Sequence, residues 1–192
     1  MILVKPMKKM IILFLLIFIT ASCGTKKTVT ETEQNSYYPI NNENAKFKYV
    51  NSDAFVYHND LSKKVQFNNK TYQVRHIRYS WGKEVETFYR MENGNVLYYD
   101  TKSDKENIMM PKKPVIGFKW INSDKSWEYE IIELEAELET PAKKYSNLLV
   151  IRATQLTNRD QTKLAEYLNY YKQNLGKVAS IGNGKLMTYR VE

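Results

Sequence analysis

Apolar residues recur at alternate positions through most of residues 37–192, in short runs separated by turn residues. The runs are rich in Tyr, Val, Ile, Phe and Trp, the side chains that favour strands. Alternation puts one side of a strand in the core and the other in solvent, as in antiparallel sheets. In the last run, Met187 and Tyr189 belong to the buried set, and Thr188 and Arg190 to the solvated set. The pattern therefore predicts one domain of mainly β structure over residues 37–192.

Two short peptides mark tight hairpins between such runs. Asn93-Gly94 lies between residues 84–91 and 95–100, and Gly182-Asn183-Gly184 lies between the last two runs. Asn and Gly adopt the positive φ angles that two-residue hairpin turns require. We therefore expect consecutive strands to pair as antiparallel hairpins at both places.

Two long runs change phase partway along their length. In residues 71–81, Tyr72 and Val74 lie on the face opposite Ile77, and in residues 127–138 the apolar set moves from odd to even positions. A shift of one residue exchanges the two faces of a strand, so each run is expected to contain a bulge or to pass between layers. This favours a strongly curved antiparallel sheet, built as a half-barrel or a sandwich, with at most one or two short helices.

Residues 161–176 fit two different elements. Leu164, Leu168, Tyr171 and Leu175 follow the i, i+4, i+7, i+11 spacing of an amphipathic helix, with an aspartate before the segment and a glycine at its end. The cluster of tyrosines in the same segment suits a strand that runs into a turn. The spacing favours the helix, and the strand stays an open alternative.

The first 23 residues have the organisation of a secretory signal. Three lysines precede residues 11–19, which are uninterrupted aliphatic and aromatic side chains, and Thr20-Ala21-Ser22-Cys23 closes the segment with small residues. The apolar run is too short for a permanent membrane helix, which needs about 20 residues. Met1 and Met7 are both open as the start of translation. The sequence predicts export and cleavage before the cysteine.

This segment resembles the signal peptides of bacterial lipoproteins, in which the cysteine is acylated and the chain is cut just before it. The resemblance implies a lipid attachment site at Cys23 and cleavage between Ser22 and Cys23. Gly24 replaces the aspartate that retains many lipoproteins at the inner membrane, which favours the outer membrane. Lys26 and Lys27 replace the acidic residues of surface-export signals, which favours the side facing the periplasm.

The segment that follows the cysteine is predicted to be a tether. Residues 24–36 contain one apolar residue, Val29, among Thr, Lys and Glu, so they bury too little surface to offset the entropy of ordering. A flexible chain of this length reaches roughly 20 Å. The predicted organisation is a signal peptide over 1–22, the lipidated cysteine and tether over 23–36, and a single β-rich domain over 37–192.

Composition narrows the set of partners. The 192 residues carry a formal net charge of +8, with basic and acidic residues mixed along the chain, so nucleic acid is not an expected partner. Cys23 is the only cysteine, and its acylation leaves no thiol for a disulfide, a thiolate metal site or a nucleophile. A domain of about 150 residues buries enough surface to fold without such crosslinks.

The two histidines carry no recognisable catalytic or metal-binding motif. His58 lies in a predicted turn, Tyr57-His58-Asn59-Asp60, and His76 lies in a predicted strand. Neither has a second histidine or a carboxylate at the spacing of a metal site. The chain also has no G-x-S-x-G motif and no Gly-rich loop before a helix. We therefore expect no catalytic residue, no metal site and no cofactor.

Six glutamates alternate with apolar residues in and after the second phase-shifted run. Glycoside hydrolysis would need two of them to converge at about 5–10 Å, with one pKa raised by burial. Because unpaired glutamates are seldom buried, we expect a solvated face that lies opposite lysines of a neighbouring strand. These glutamates are Glu128, Glu130, Glu133, Glu135, Glu137 and Glu139.

Three further segments resemble a group of β-rich envelope lipoproteins of the Bacteroidota type, whose function is unassigned. They are Tyr37-Tyr38-Pro39-Ile40, then Glu139-Thr140-Pro141-Ala142 with residues 147–152, and residues 170–178 (YYKQNLGKV). In order and spacing they cover most of residues 37–192. The resemblance implies that residues 167–172 form a strand.

The expected function is that of a lipid-anchored cell-envelope protein, not an enzyme, with a binding or structural role at the outer membrane. Its expected partners are the membrane, through acyl chains on Cys23, and an envelope protein or lipid. One alternative is a half-open β module that binds a lipid or glycan, which requires a concavity of about 300 Å³ or more. A second alternative, an envelope hydrolase, requires converging buried carboxylates or an oriented histidine. The oligomeric state stays open.

Overall fold

A computed structural model describes residues 35–156 and 160–192. These residues contain twelve strands in one antiparallel sheet, and no helix. The prediction of a mainly β fold with a curved antiparallel sheet is confirmed. The strands are β1 (Asn44–Tyr49), β2 (Phe55–Phe67), β3 (Lys70–Tyr79), β4 (Glu84–Glu92), β5 (Asn95–Asp100), β6 (Lys105–Met110), β7 (Lys119–Ile121), β8 (Trp127–Glu139), β9 (Lys144–Gln155), β10 (Glu166–Lys172), β11 (Gly176–Gly182) and β12 (Lys185–Arg190).

The sheet curves until it nearly closes on itself. Along the chain each strand pairs with the next, except that β6 does not pair with β7. The first strand pairs with the last, with Phe47 opposite Arg190, so β6 and β7 become the two edges of the sheet. The result is a barrel-like curve with one seam, rather than two stacked layers.

Side chains bridge the seam between β6 and β7. The Nε1 of Trp120 donates a hydrogen bond to the backbone oxygen of Ile108 at 2.9 Å, and the backbone N of Ser123 donates to Oδ1 of Asn107 at 2.5 Å. The Trp120 ring also stacks on Tyr129, with 5.4 Å between ring centroids. A buried indole thus takes the place of a backbone ladder.

Both predicted hairpin turns are confirmed. Asn93 and Gly94 have φ angles of 51° and 79°, and Asn183 and Gly184 have φ angles of 50° and 69°. Two consecutive positive φ angles define the turn whose twist matches that of paired strands. The local chemistry of these residues therefore sets the pairing of β4 with β5 and of β11 with β12.

The predicted irregularities fall in β8 and beside β3. In β8 the register against β9 shifts between Ile131 and Glu133 and at two later points, as the phase change indicated. For the earlier run, the shift lies in the partner strand β2, between Asp60 and Lys64. The strand β3 itself stays regular and buries side chains on both faces around Val74, which produces the same pattern as a bulge.

The helix favoured for residues 161–176 is wrong, and the strand implied by the resemblance is present. Strand β10 pairs along its length with both β9 and β11, for example through Tyr167 with Ala153 and with Gly182. Two ladders satisfy more backbone groups across the sheet than one isolated helix would, and this outweighs the helical spacing of the leucines. Asp160 accepts a hydrogen bond from the backbone N of Thr162 at 2.9 Å, inside a turn.

The described residues form three core clusters, of which the smallest contains Ala45, Phe47 and Val56, and the other two lie on opposite faces of the sheet. Leu149 and Ile151 of β9 pack into the inner part with the aromatic side chains of other strands. Leu148 and Val150, at the alternating positions, pack into a second cluster with Ala136 of β8 and Tyr145 of β9. The inner part contains Tyr38, Ile40, Tyr89, Val96, Met110, Trp120, Ile131, Leu149, Ile151 and Tyr171.

Residues 35–43 close one end of the curve. The Nδ2 of Asn35 donates to the backbone oxygens of Gly94 at 3.2 Å and Pro111 at 3.0 Å, and the backbone N of Asn174 donates to the oxygen of Ser36 at 2.5 Å. The segment thus joins turns on both sides of the sheet. Asn35 and Ser36, which the sequence placed in the tether, are part of the fold.

Candidate functional site

The curved sheet encloses a cavity of about 520 Å³ that adjoins a second one of about 480 Å³. Each exceeds the roughly 300 Å³ at which ligand-binding pockets begin. The first is lined by Tyr38 at the closed end and, at the other end, by Asp100, the last residue of β5, and by Asp124 in the turn between β7 and β8. The residues that line both cavities are Phe47, His58, Trp127, Tyr129, Asn169 and Lys177.

One side of this interior is apolar. In the second cavity, side chains of β1, β2 and β3 form a wall of aromatic and branched aliphatic groups. The face opposite carries a polar pair, in which Oγ of Ser180 donates to Oδ1 of Asn169 at 2.9 Å. The space is therefore suited to a molecule with an apolar and a polar part. The wall comprises Phe47, Tyr49, Val56, Ile77 and Tyr79.

An arginine and an aspartate form a buried ion pair near the closed end. Arg75 donates from Nε to Oδ1 of Asp60 at 2.7 Å and from Nη2 to Oδ2 at 3.0 Å. The guanidinium carbon lies 5.0 Å from the ring centroid of Tyr38 and 5.1 Å from that of Tyr89. The backbone N of Glu43 donates to Asp60 as well, at 2.8 Å. The Arg75 guanidinium is thus paired with one carboxylate and lies beside two aromatic rings.

A second buried pair corrects the expectation for the last strand. Arg190 was placed on a solvated face, but it is buried and donates from Nη1 to Oε1 of Glu43 at 2.8 Å and to the oxygen of Leu175 at 2.7 Å. Burial raises the pKa of Glu43, and the positive charges of Arg75 and Arg190 oppose that rise. The carboxylate of Glu43, one residue before β1, therefore pairs with the charge of the buried Arg190.

Lys177 differs from the two arginines, because it brings a positive charge into the interior without a carboxylate. It lies opposite Tyr171 of the inner core and lines both cavities. Within residues 35–156 and 160–192, its ammonium group forms neither an ion pair nor a hydrogen bond. Burial lowers the pKa of Lys177 from 10.5 to about 8. The group is still mostly protonated at neutral pH.

His58 lies inside strand β2 and not in a turn, so that prediction is wrong. Its ladder partners are Ala45 on β1 and Ile77 on β3, and pairing on both sides outweighs the turn-forming residues that follow it. Burial, together with the nearby charges of Arg75, Lys177 and Arg190, lowers its pKa to about 3. His58 therefore offers the cavity a neutral imidazole.

The remaining candidates from the sequence lie away from the cavity. His76 is in a strand, as predicted, and its Nε2 is 3.2 Å from Oε2 of Glu84 on β4. The Nζ of Lys144 lies 2.7 Å from Oε2 of Glu137. The Nζ of Lys119 lies 3.5 Å from Oε2 of Glu130. The expected solvated glutamate face is confirmed for Glu133, Glu135, Glu137 and Glu139, whereas Glu128 and Glu130 are only partly exposed. In the part of the chain that the structure describes, no three His, Cys, Asp or Glu side chains are grouped as a metal site.

The predicted cleavage site at Ser22 and the lipid attachment residue Cys23 lie outside the described residues. The segments with described coordinates hold no helix of the length and apolarity needed to cross a bilayer.

Comparison of the chain with protein-family models, with curated proteins and with solved structures gives no match.

Proposed function

We propose that the protein is a lipid-anchored, non-catalytic binding protein of the cell envelope, and that its curved sheet holds a small amphipathic anion. The observation that carries this proposal is the unmatched ammonium group of Lys177 in a cavity with an aromatic wall. The sequence of residues 1–23 supports the anchor. By the same sequence argument, we place the domain at the outer membrane on the periplasmic side.

The charge of Lys177 is the reason that we propose an anionic ligand. Lys177 is half-buried, and withdrawing a cation from water without a partner is costly, whereas a carboxylate, sulfonate or phosphate placed beside it would form a charge-assisted hydrogen bond. Arg75 and Arg190 already have carboxylate partners in Asp60 and Glu43. Lys177 is therefore the group that a ligand would complete.

The apolar wall of the second cavity is the reason that we propose an apolar part in the ligand. Phe47 and Tyr79 lie on strands that face the polar pair of Asn169 and Ser180 across the same space. A chain or ring from the ligand would replace water against these aromatic side chains, which contributes roughly 25 cal/mol per Å² of apolar area. These two contacts would orient the ligand, with its acidic group at Lys177 and its apolar part against the wall.

We expect laurate to bind the full-length protein and dodecanol to bind much more weakly. Lys177→Met should weaken laurate binding by about 30-fold, because it removes one partner of a buried charge pair, and should leave dodecanol binding unchanged. Lys185→Met, at an exposed position of β12, is the matched control. Isothermal titration calorimetry with octanoate, laurate and dodecanol measures each affinity. Equal binding of laurate and dodecanol, or full laurate affinity in Lys177→Met, would contradict the proposed site.

The pH dependence provides an independent check on the same residue. The pKa of Lys177 in the fold, about 8, lies below its ordinary value of 10.5. Between these values the unfolded chain binds more protons than the native protein, so the free energy of unfolding rises with pH. Laurate affinity should fall over the same window. Lys177→Met should abolish both trends and, at pH 7, stabilise the ligand-free protein by about 1–3 kcal/mol.

Changing Cys23 to serine is expected to block acylation and leave the uncleaved precursor. Acyl chains contribute about 0.8 kcal/mol per buried CH₂, so two or three chains hold a protein far more firmly than one. Membrane fractionation after a salt wash, followed by mass spectrometry of the chain, measures the result. Ser22→Ala keeps a small residue before the cut and should be processed normally. Normal cleavage and membrane retention of the Cys23→Ser variant would refute the anchor.

A further inference from the structure

Residues 115–118 form a turn with an unusual concentration of exposed apolar surface. Val115 is 55% exposed, Ile116 65% and Phe118 37%. Elsewhere in the described residues, large exposed hydrophobic side chains occur singly, as at Trp81 and Ile121. Isolated exposed apolar residues are ordinary, but a contiguous group marks an interaction site.

Hydrogen bonds fix this turn. The backbone N of Phe118 donates to the oxygen of Val115 at 3.1 Å, and Gly117 supplies the positive φ of 84° that the turn needs. The backbone N of Gly117 donates to the oxygen of Ile131 on β8 at 2.8 Å, and Ile131 donates back to Phe118 at 3.0 Å. The side chains of Val115 and Ile116 are therefore held outward by the scaffold.

Two lysines, Lys112 and Lys113, lie just before the turn in the sequence. Residues 107–123 contain three lysines, Lys112, Lys113 and Lys119, and no acidic residue. Of these, Lys119 lies near Glu128 and Glu130 on β8, whereas Lys113 is exposed. A bilayer with acidic lipids has an apolar hydrocarbon core and anionic headgroups. An apolar turn with lysines beside it is suited to such a surface.

The turn follows closely on Pro111, which Asn35, the first described residue, contacts. Asn35 donates to the backbone oxygen of Pro111 at 3.0 Å, four residues before Val115. The twelve-residue step from Cys23 to Asn35 covers at most about 40 Å even when fully extended. An acyl anchor on Cys23 would thus hold Asn35, and with it this end of the domain, within about 40 Å of the membrane.

We propose that the 115–118 turn inserts its apolar side chains into the surface of a bilayer that contains anionic lipids. The insertion would orient the domain with its closed end toward the membrane and the opposite end of the cavity away from it. The orientation depends on the proposed anchor, whereas the affinity of the turn for lipid does not.

Environment-sensitive labels test the insertion site by site. In the full-length chain with Cys23→Ser, a single cysteine is introduced by Ile116→Cys or by Trp81→Cys and is labelled with nitrobenzoxadiazole. Both proteins keep the same N-terminal segment, so any difference between the labels comes from the domain. Vesicles of phosphatidylcholine with about 30 mol% phosphatidylglycerol present the anionic surface.

The label at position 116 should gain several-fold in emission and shift to the blue with these vesicles, while the label at position 81 should not respond. Lys113→Glu should reduce the response at position 116, and vesicles of phosphatidylcholine alone should give a smaller one. An equal response at both positions, or no response at position 116, would overturn the proposal. If the label at position 116 responded to a higher protein concentration in the absence of vesicles, the partner of the turn would be a second copy of the chain. That result would also overturn the proposal.

Discussion

Replacing Asp60 with alanine is expected to lower the free energy of unfolding by about 3–5 kcal/mol. The Asp60 side chain is fully buried and accepts two hydrogen bonds from Arg75 and one from the backbone N of Glu43. Its removal leaves the Arg75 guanidinium charged and unmatched among aromatic rings. Urea denaturation followed by tryptophan fluorescence measures the loss, and Asp53→Ala, in an exposed turn, should change stability by less than about 0.5 kcal/mol.

A double variant separates the charge from the packing. Asp60→Leu with Arg75→Met replaces both partners by apolar groups of similar size, and such replacements of a buried pair are often neutral or stabilising. We expect the double variant to recover most of the stability that Asp60→Ala loses. If the free energy of unfolding of Asp60→Ala lay within about 1 kcal/mol of the native value, water or another group would have to solvate Arg75 in that variant.

Replacing Trp120 with alanine is expected to cost about 3–5 kcal/mol, the usual range for removing a large buried aromatic side chain. The Trp120 side chain is buried, stacks on Tyr129 and donates a hydrogen bond to the backbone oxygen of Ile108 across the seam. Its loss would also turn β6 into an unprotected edge. Amide hydrogen exchange in β6 should therefore accelerate more than exchange in β11, which is paired on both sides.

Two further variants control for ring volume and for tryptophan loss. Trp120→Phe keeps most of the ring but cannot donate to Ile108, so it should cost about 1–2 kcal/mol. Trp81→Ala removes a side chain that is 56% exposed and should change stability by less than about 0.5 kcal/mol. If Trp120→Ala unfolded no more easily than Trp81→Ala, the seam would owe its closure to the other contacts of β6 and β7.

The features that the sequence predicted correctly are those with local causes. Asn93-Gly94 needs only its own φ angles to form a turn, and the phase change in β8 appears directly in the order of its apolar residues. His58 and residues 161–176 were assigned wrongly because their local signals favour a turn and a helix. In both, pairing with two neighbouring strands decides the structure, and those neighbours are distant in sequence.

The placement of Lys177 could not be derived from alternation. A strict period of two puts Lys177 and Ala179 on one face of β11. The register against β10 shifts between Tyr170 and Tyr171, so Val178 and Ala179 both pack into the second cluster while Lys177 lines the interior. One extra residue in a strand exchanges its faces. The only sequence signal was a lone lysine beside a glycine and an apolar run.

The pairing of β1 with β12 makes the order of synthesis matter. Glu43 and Arg190 are 147 positions apart, so neither can neutralise the other until every intervening strand has been made. Until then β1 and β11 each expose an unpaired edge, and the carboxylate of Glu43 has no arginine from β12. Contacts of such separation slow folding. A chaperone that shields strand edges would therefore matter most for this chain just before β12 has been made.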